Sequence, residues 1–214
     1  MNYKIVLGKD INEEEFVLDL NKTPNILLCG STGGGKSFCL KAILFSLLSQ
    51  DQDADYIIID PKGVDFNAYK DVERVHYFNS KNLEVAVGVL NGLHENNKES
   101  FVFIDELLDV AYFDKKPFQK AILKLLENQS NSKVHLLIAC LAPWWKAVKA
   151  IKTKMPNRLC FYEPCLADSL SLIGRGGCEK LIGKGDCIAK IDGKITHFQA
   201  YKPNPELRDK ILKK

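Results

Sequence analysis

The sequence lacks any long apolar run. No stretch approaches the roughly 18 consecutive apolar residues that a membrane-spanning helix requires, and the opening residues MNYKIVLGKD contain no signal-peptide core. We therefore expect a cytoplasmic protein without a membrane span. Cysteine is present, but the seven residues are odd in number and include no C-x-x-C pair. A disulfide framework and a zinc site are therefore disfavoured, and we expect these cysteines to act as small buried hydrophobes.

Arginine is scarce, and basic charge is concentrated in one segment. The net charge is only +3, yet residues 115–154 contain nine lysines and one glutamate. A local excess of this size suits a surface that faces a polyanion. A solvated helix face would show the same composition, and charge alone does not decide between the two. Trp144 and Trp145 precede the last lysines of the segment, and we favour core or interface anchors over base-stacking groups for this pair.

The most informative motif is GSTGGGKS at Gly30–Ser37. It follows the apolar run Asn25–Cys29 and precedes a helical pattern, which is the context of a phosphate-binding loop. Glycines let such a backbone curl so that N–H groups face an anion, and the following helix adds its positive dipole end. The loop predicts a bound ATP. Its residues are Gly30, Ser31, Thr32, Gly33, Gly34, Gly35, Lys36 (also a catalytic candidate) and Ser37.

A second motif, FVFIDEL, occupies residues 101–107. Its apolar residues predict a buried strand that delivers Asp105 to a carboxyl end, where the ligands of α/β proteins bind. Asp105 and Ser37 are the expected Mg²⁺ ligands, and Glu106 is placed to polarise the attacking water. An Asp-Glu pair beside such a loop favours hydrolysis over binding alone.

Apolar runs that alternate with helical patterns predict an α/β fold with a parallel sheet covered on both faces. We expect a three-layer P-loop NTPase of the RecA-like type, in which the central sheet is mostly parallel. A short N-terminal strand pair and a C-terminal β-hairpin around Asp192-Gly193 accompany it. The prediction is a single domain over residues 1–214, with a core over about 20–200 and a loose polar tail over 203–214.

Motor ATPases often complete their site with an arginine from a neighbouring subunit. Of four arginines in the chain, Arg175 lies in the glycine-rich segment 173–177, which we expect to form a flexible loop. Arg158 begins a predicted strand and is a second candidate. A plain surface charge is the alternative for each.

Motifs along nearly the whole chain resemble the motor domain of the FtsK/SpoIIIE DNA translocases, within the FtsK–HerA group of ring ATPases. The generic motifs are the phosphate loop and the Asp-Glu pair. More specific are IIIDPKGVDF at 57–66 and EKLIGKGD at 179–186, supported by LGKDI at 7–11, VHLLIA at 134–139, KTKMPNRLCF at 152–161 and DSLSLIGRGG at 168–177.

The resemblance implies a homo-oligomer, a hexameric ring with ATP between subunits and double-stranded DNA in its pore. Without a membrane anchor or a winged-helix reader, the chain resembles the small FtsK-like ATPases of plasmids, conjugative elements and viruses. A protein partner of membrane, relaxase or capsid type fits that setting.

The chain also departs from the family pattern. Cys140-Leu141-Ala142-Pro143 stands where the family has Thr-Gln-Arg-Pro, and Asp168-Ser169-Leu170 replaces Asp-Ser-Arg. An arginine usual before the VHLLIA strand is missing near Ser130 and Asn131. A DNA pump is the first hypothesis, and a nucleotide-gated coupling or assembly ATPase that moves no DNA is the alternative. A small-molecule kinase is disfavoured because no acceptor site is recognisable.

Overall fold

The computed structural model describes residues 3–50, 53–95, 97–107, 109, 115–128, 132–141 and 146–212. Within these residues ten strands form one sheet, in the order β2-β1-β10-β9-β8-β3-β7-β6-β4-β5. The strands are β1 (Lys4–Asp10), β2 (Glu15–Asp19), β3 (Asn25–Cys29), β4 (Asp55–Ile59), β5 (Val75–Phe78), β6 (Ser100–Ile104), β7 (Val134–Cys140), β8 (Arg158–Cys160), β9 (Asp186–Ile191) and β10 (Lys194–Ala200).

The sheet has a parallel part and an antiparallel part. Strands β5, β4, β6, β7, β3 and β8 pair in parallel, whereas β9, β10, β1 and β2 continue the sheet with antiparallel pairs. The mostly parallel sheet, the N-terminal strand pair and the C-terminal hairpin are therefore confirmed. Strand β8 is the last of the parallel strands, and β9 pairs with it in the antiparallel direction.

Six α-helices are described: α1 (Lys36–Gln50), α2 (Leu83–Gly92), α3 (Lys115–Glu127), α4 (Lys146–Lys154), α5 (Leu166–Ile173) and α6 (Pro205–Leu212). A single 3₁₀ turn, Leu93–Glu95, extends α2. Helix α5 ends at Gly174, whose φ of 84° is the left-handed geometry that closes helices. None of the described helices is both long and apolar enough to cross a bilayer.

The parallel strands are buried on both faces, which gives the molecule its three layers. Consecutive residues of β3 alternate between two apolar clusters, with Ile26 and Leu28 in one and Leu27 and Cys29 in the other. The first cluster contains α1, and the second contains α2 and α3. Six of the seven cysteines are buried, as expected for small hydrophobes.

The C-terminal segment differs from expectation. Residues 203–214 were expected to be a loose polar tail, but Pro205–Leu212 is a helix. Its Ile211 is buried in the same cluster as α1, and Leu207 packs against that cluster, so these two apolar residues dock an otherwise polar helix. Helix α5 was also not predicted. Trp144, Trp145, Ala142, Pro143, Ser130 and Asn131 lie outside the described residues.

Candidate functional site

Three neighbouring parallel strands bring the site together. Strand β7 lies between β3 and β6, so the segments after these strands meet at one edge of the sheet. The phosphate loop, Gly30–Ser37, follows β3, Leu141 follows β7, and Asp105 with Glu106 follows β6. The carboxyl end of β4, next to β6, adds Asp60 at the same edge.

A cavity of about 240 Å³ lies between these segments, and we call it the phosphate cavity. It brings together most of the residues that the sequence assigned to nucleotide and metal. Its lining residues are Thr32, Gly33, Gly35, Lys36, Ser37, Phe38, Lys62, Asp65, Asp105, Glu106 and Leu141.

The phosphate loop is packed against two other segments. A Cβ at Gly30 would lie 2.7 Å from Cβ of Phe161, and a Cβ at Gly35 would lie 2.8 Å from the nitrogen of Gly185. Both glycines also have positive φ, 147° and 120°, so only glycine fits at either position. The N–H of Ser31 donates to Tyr162 and that of Gly34 donates to Ser31. The N–H groups available to a phosphate are therefore those of the other residues of the loop.

Lys36 begins α1 and its side chain is buried against its own loop. Its ammonium donates to the carbonyls of Gly30, at 2.6 Å, and Ser31, at 3.0 Å. A lysine ammonium has three donors, so one remains for a phosphate oxygen in the adjacent cavity. Gly30 and Ser31 thus contribute through their carbonyls, which hold the lysine in place.

Ser37 and Asp105 form the expected pair. The Ser37 hydroxyl donates to Oδ1 of Asp105 at 2.9 Å. Burial raises the pKa of Asp105 to about 6, and the negative charges of Asp65, Asp60 and Glu106 add to the effect. Hard oxygen donors among crowded carboxylates are the donor set that Mg²⁺ prefers, so these residues fit the metal that the phosphate loop implies.

Glu106 is held in an unusual backbone conformation. Its φ is 73°, a left-handed value that non-glycine residues adopt mainly at functional sites. One carboxylate oxygen accepts a hydrogen bond of 2.8 Å from the N–H of Leu141. The contact uses the backbone of Leu141, so it does not depend on the side chain at this position.

The IDPKG turn contributes residues to the site that the sequence prediction did not include. Asp60 is buried and accepts from the N–H groups of Gly63 and Phe66, which folds the turn. The turn places Lys62 and Asp65 in the phosphate cavity. Lys62 forms an ion pair of 3.0 Å with Asp109, and that contact raises its pKa. The motif itself was visible in the sequence, but its direction was not.

The structure separates the two arginine candidates. The guanidinium of Arg158 donates to the backbone carbonyls of Lys152, Met155, Ser171 and Leu172. It thereby closes the carboxyl ends of α4 and α5 with four of its five N–H donors. These contacts favour a structural role, and the predicted catalytic role of Arg158 stays a prediction.

Arg175 has different surroundings. It is exposed, and its side chain contacts no partner among the described residues. The surrounding loop is fixed rather than loose, because Ser169 donates to the Arg175 carbonyl and the Gly177 N–H donates to Glu179. Arg175 does not line the phosphate cavity of its own chain.

Comparisons with known proteins agree with this site. Residues 1–99 match the model of the FtsK/SpoIIIE family. A curated relative, DNA translocase FtsK of Staphylococcus aureus (strain Mu50), is 27% identical over 250 residues, which cover 97% of this chain and 32% of the relative. The chain is therefore similar in sequence to the FtsK/SpoIIIE translocases. It spans about a third of the length of that relative.

Solved structures show the same fold. The monomer form of the pCW3 conjugation coupling protein TcpA with ATPγS has a TM-score of 0.79 and 23% identity, covering 100% of this chain and 70% of TcpA. The cytoplasmic domain of the Thermomonospora curvata type VII secretion ATPase EccC has a TM-score of 0.83 and 18% identity, covering 99% of this chain and 30% of EccC. The chain therefore has the fold of these ATPase domains.

Proposed function

We propose that this chain hydrolyses ATP and, as one subunit of a ring, uses the energy to move double-stranded DNA. The observation that carries the proposal is the Ser37–Asp105 contact of 2.9 Å, beside Glu106, in a cavity bounded by the phosphate loop. This arrangement has a cradle for the phosphates, a pair of metal ligands and a base for water.

Each residue of the phosphate cavity has a role in hydrolysis. Lys36 and the loop amides bind the phosphate oxygens, and Ser37 and Asp105 would hold Mg²⁺. The metal would supply positive charge that offsets the negative charge of the triphosphate. Glu106 would orient and polarise the attacking water, which requires that its carboxylate leave the Leu141 amide or share it.

The part of this site that we assign to a neighbouring subunit is an arginine for the terminal phosphate. Among the described residues that line the phosphate cavity, no arginine is present. We propose that Arg175 enters the site of a neighbouring subunit, because it is exposed and its guanidinium is unengaged within the described chain. Hydrolysis would then require the ring.

Double-stranded DNA is the proposed partner because the curated relative is a DNA translocase. Helices α3 and α4 pack against each other and carry exposed lysines: Lys116, Lys120, Lys124, Lys149 and Lys154. Such a surface binds the DNA backbone without reading its sequence. A role in transfer or packaging for a plasmid, conjugative element or virus is the setting that we propose.

A coupling or assembly ATPase is the second candidate function. Leu141 presents an apolar side chain to the phosphate cavity where translocases of this family have a polar residue. A relative by fold, TcpA, is a conjugation coupling protein. In this alternative, ATP binding gates contact with a partner protein and turnover is slow.

The test measures ATP turnover with and without linear duplex DNA for the wild type and for Glu106→Gln. Glutamine keeps an oxygen for the Leu141 N–H but cannot accept a proton. We expect DNA to stimulate the wild type at least tenfold. Turnover of Glu106→Gln should fall by about 10²–10⁴, the usual contribution of a general base, whereas ATP affinity should stay within twofold.

Two results would count against the pump. Slow turnover that duplex DNA leaves unchanged would favour the coupling role. Full turnover in Glu106→Gln would remove that glutamate from the reaction and would require another base.

A further inference from the structure

A second cavity, of about 220 Å³, lies against the phosphate loop on the side away from Asp105 and Glu106. We call it the turn-side cavity, because it is closed by the turn Gly183–Gly185 and by the residues after β10. It shares Gly33, Gly35 and Phe38 with the phosphate cavity. The two cavities are therefore neighbouring compartments along one loop.

We propose that the turn-side cavity binds the purine base of the nucleotide whose phosphates occupy the phosphate cavity. This inference rests on the proposed function and adds the base specificity of the same site. A nucleotide bound with its terminal phosphate near Glu106 extends along the loop away from the acids. The turn-side cavity adjoins the shared glycines, so the base of such a nucleotide lies in that cavity.

The walls suit a flat aromatic ring. Phe38 and Tyr201 both line the cavity and keep 60% and 43% of their surface exposed. Exposed rings beside a cavity offer stacking surfaces for a base. The volume exceeds the ~150 Å³ of an engineered cavity that accepts benzene, so a two-ring base fits.

The Phe38 ring contacts a lysine that is itself held by an ion pair. The Lys41 ammonium lies 5.5 Å from the centre of the Phe38 ring and 5.4 Å from that of Phe66. Lys41 in turn pairs with Asp65 at 2.5 Å, and Asp65 lines the phosphate cavity. The stacking ring is thus tied to the charged part of the site.

The opposite wall is fixed to the phosphate loop through the backbone. Gly185 donates its N–H to the carbonyl of Gly34 at 3.0 Å, and Ala200 donates to Gly185 at 2.9 Å. Tyr201 donates to the carbonyl of Leu7 at 2.7 Å, which anchors it on β1. These bonds set the distance between the phosphate-binding residues and Tyr201.

The same bonds determine which base the cavity accepts. The N–H groups of Gly185, Ala200 and Tyr201 already have partners within the chain. Lys184 and Lys202 are the charged side chains among the described lining residues, and there is no carboxylate or carboxamide that could accept from and donate to a base edge. Recognition by stacking favours large rings, so ATP and GTP should bind about equally and both should bind more tightly than UTP.

The test compares binding of ATPγS and inorganic tripolyphosphate, both with Mg²⁺, by titration calorimetry. The variants are Tyr201→Ala, Tyr201→Leu and Tyr201→Phe, with Val85→Ala on α2 as an exposed control. We expect Tyr201→Ala and Tyr201→Leu to bind ATPγS about tenfold more weakly, the usual effect of losing one stacking ring. Tripolyphosphate affinity should stay within twofold, and Tyr201→Phe should behave as wild type.

The outcomes separate this inference from the proposed function. Wild-type binding of ATPγS that Tyr201→Ala and Tyr201→Leu both retain would overturn the base site and leave the ATPase in place. An equal loss of tripolyphosphate binding would also overturn it, because Tyr201 would then act on the phosphate loop. More than tenfold preference for ATP over GTP would overturn recognition by stacking. A wild type that binds neither compound would overturn the proposed function itself.

Discussion

The two sides of the phosphate loop differ in chemistry. The side toward β6 carries lysine and carboxylates, which follow the ends of parallel strands. The side toward β10 carries aromatic rings, backbone groups and the lysines Lys184 and Lys202 but no carboxylate among its described lining residues, and it belongs to the antiparallel part of the sheet. On the functions proposed above, bond breaking is the task of the charged side and holding the nucleotide is the task of the aromatic side. Variants on one side should therefore change turnover, whereas variants on the other should change affinity.

The largest effect is expected from Arg175→Ala, which removes the cation that we assign to the charged side of a neighbouring subunit. Turnover should fall by about 10³ or more, the usual contribution of an arginine supplied in this way. ATP affinity and thermal stability should be unchanged, since the side chain has no partner among the described residues. Steady-state assays measure turnover, and calorimetry measures ATP affinity and thermal stability. Arg208→Ala on α6 is the control.

Mixed rings sharpen this prediction. Combining Arg175→Ala subunits with Glu106→Gln subunits should restore part of the activity, because some interfaces then contain both intact groups. Full activity of Arg175→Ala alone would assign the role to another cation, and no recovery on mixing would argue against a contribution in trans.

Lys36→Ala acts at the centre of the loop and should affect both sides. The change removes the phosphate-binding ammonium and its contacts with Gly30 and Ser31. We expect turnover to fall by about 10²–10³, as for the loss of one charged donor to the transition state. Unlike Glu106→Gln, this variant should also lose ATP binding, which calorimetry measures. Lys70→Ala, at an exposed position, is the control. Unchanged turnover would refute the assignment of the phosphate loop.

Glu163 is not among the described residues that line either cavity. Replacing it should therefore affect stability alone. It is 4% exposed, and one of its oxygens has no hydrogen-bond partner among the described residues. Burial raises its pKa to about 7, helped by the charge of Asp168 and opposed by that of Lys36. The folded state therefore binds the proton more strongly than the unfolded chain does, and stability falls as pH rises from about 4.5 to 7.

Glu163→Gln should remove this loss of stability at rising pH. The variant should gain about 2–3 kcal/mol over wild type above pH 7 and nothing near pH 4. Urea unfolding between pH 4 and 9 measures this difference, with the exposed Glu206→Gln as the control. If the free energy of unfolding changed with pH in the same way for the variant and the wild type, the pKa of Glu163 would not be raised in the folded state.

The sequence predicted the charged side of the loop much better than the aromatic side. Apolar runs ending in acids or glycines identify parallel strands and their carboxyl ends, so Ser37, Asp105 and Glu106 could be placed together in advance. Gly185 and Tyr201 reach the loop only through backbone bonds between distant segments, and no local pattern reports these. The structural contacts of Arg158 were missed for a similar reason, because its partners are carbonyls at the ends of two helices.

Polar composition also concealed two helices. The segment at Pro205–Leu212 is rich in charge, and the contacts of Ile211 and Leu207 with the α1 cluster explain why it is ordered. Helix α5 is eight residues long, too short for periodicity to distinguish it from the glycine-rich loop that follows.

The smallest expected effect belongs to Gly185→Ala, which tests whether the aromatic side depends on the backbone bond to Gly34. The residue has a φ of 94°, and an added Cβ would lie 2.9 Å from the side-chain nitrogen of Gln199 and 3.2 Å from the Ala200 carbonyl. Strain of this kind costs about 1–2 kcal/mol. Relief requires the turn to move away from the phosphate loop, so ATP affinity should fall severalfold while the turnover of bound ATP is retained.

Gly193→Ala provides a matched control for that strain. Gly193 also has positive φ, 79°, but a Cβ there meets nothing within 4 Å, and the hairpin turn does not contact the phosphate loop. Both variants should lose similar stability, because a left-handed alanine is unfavourable in either turn. Only Gly185→Ala should weaken binding of ATPγS. If both variants weakened it equally, the effect would come from lost stability, and the aromatic side would not depend on the Gly185–Gly34 bond.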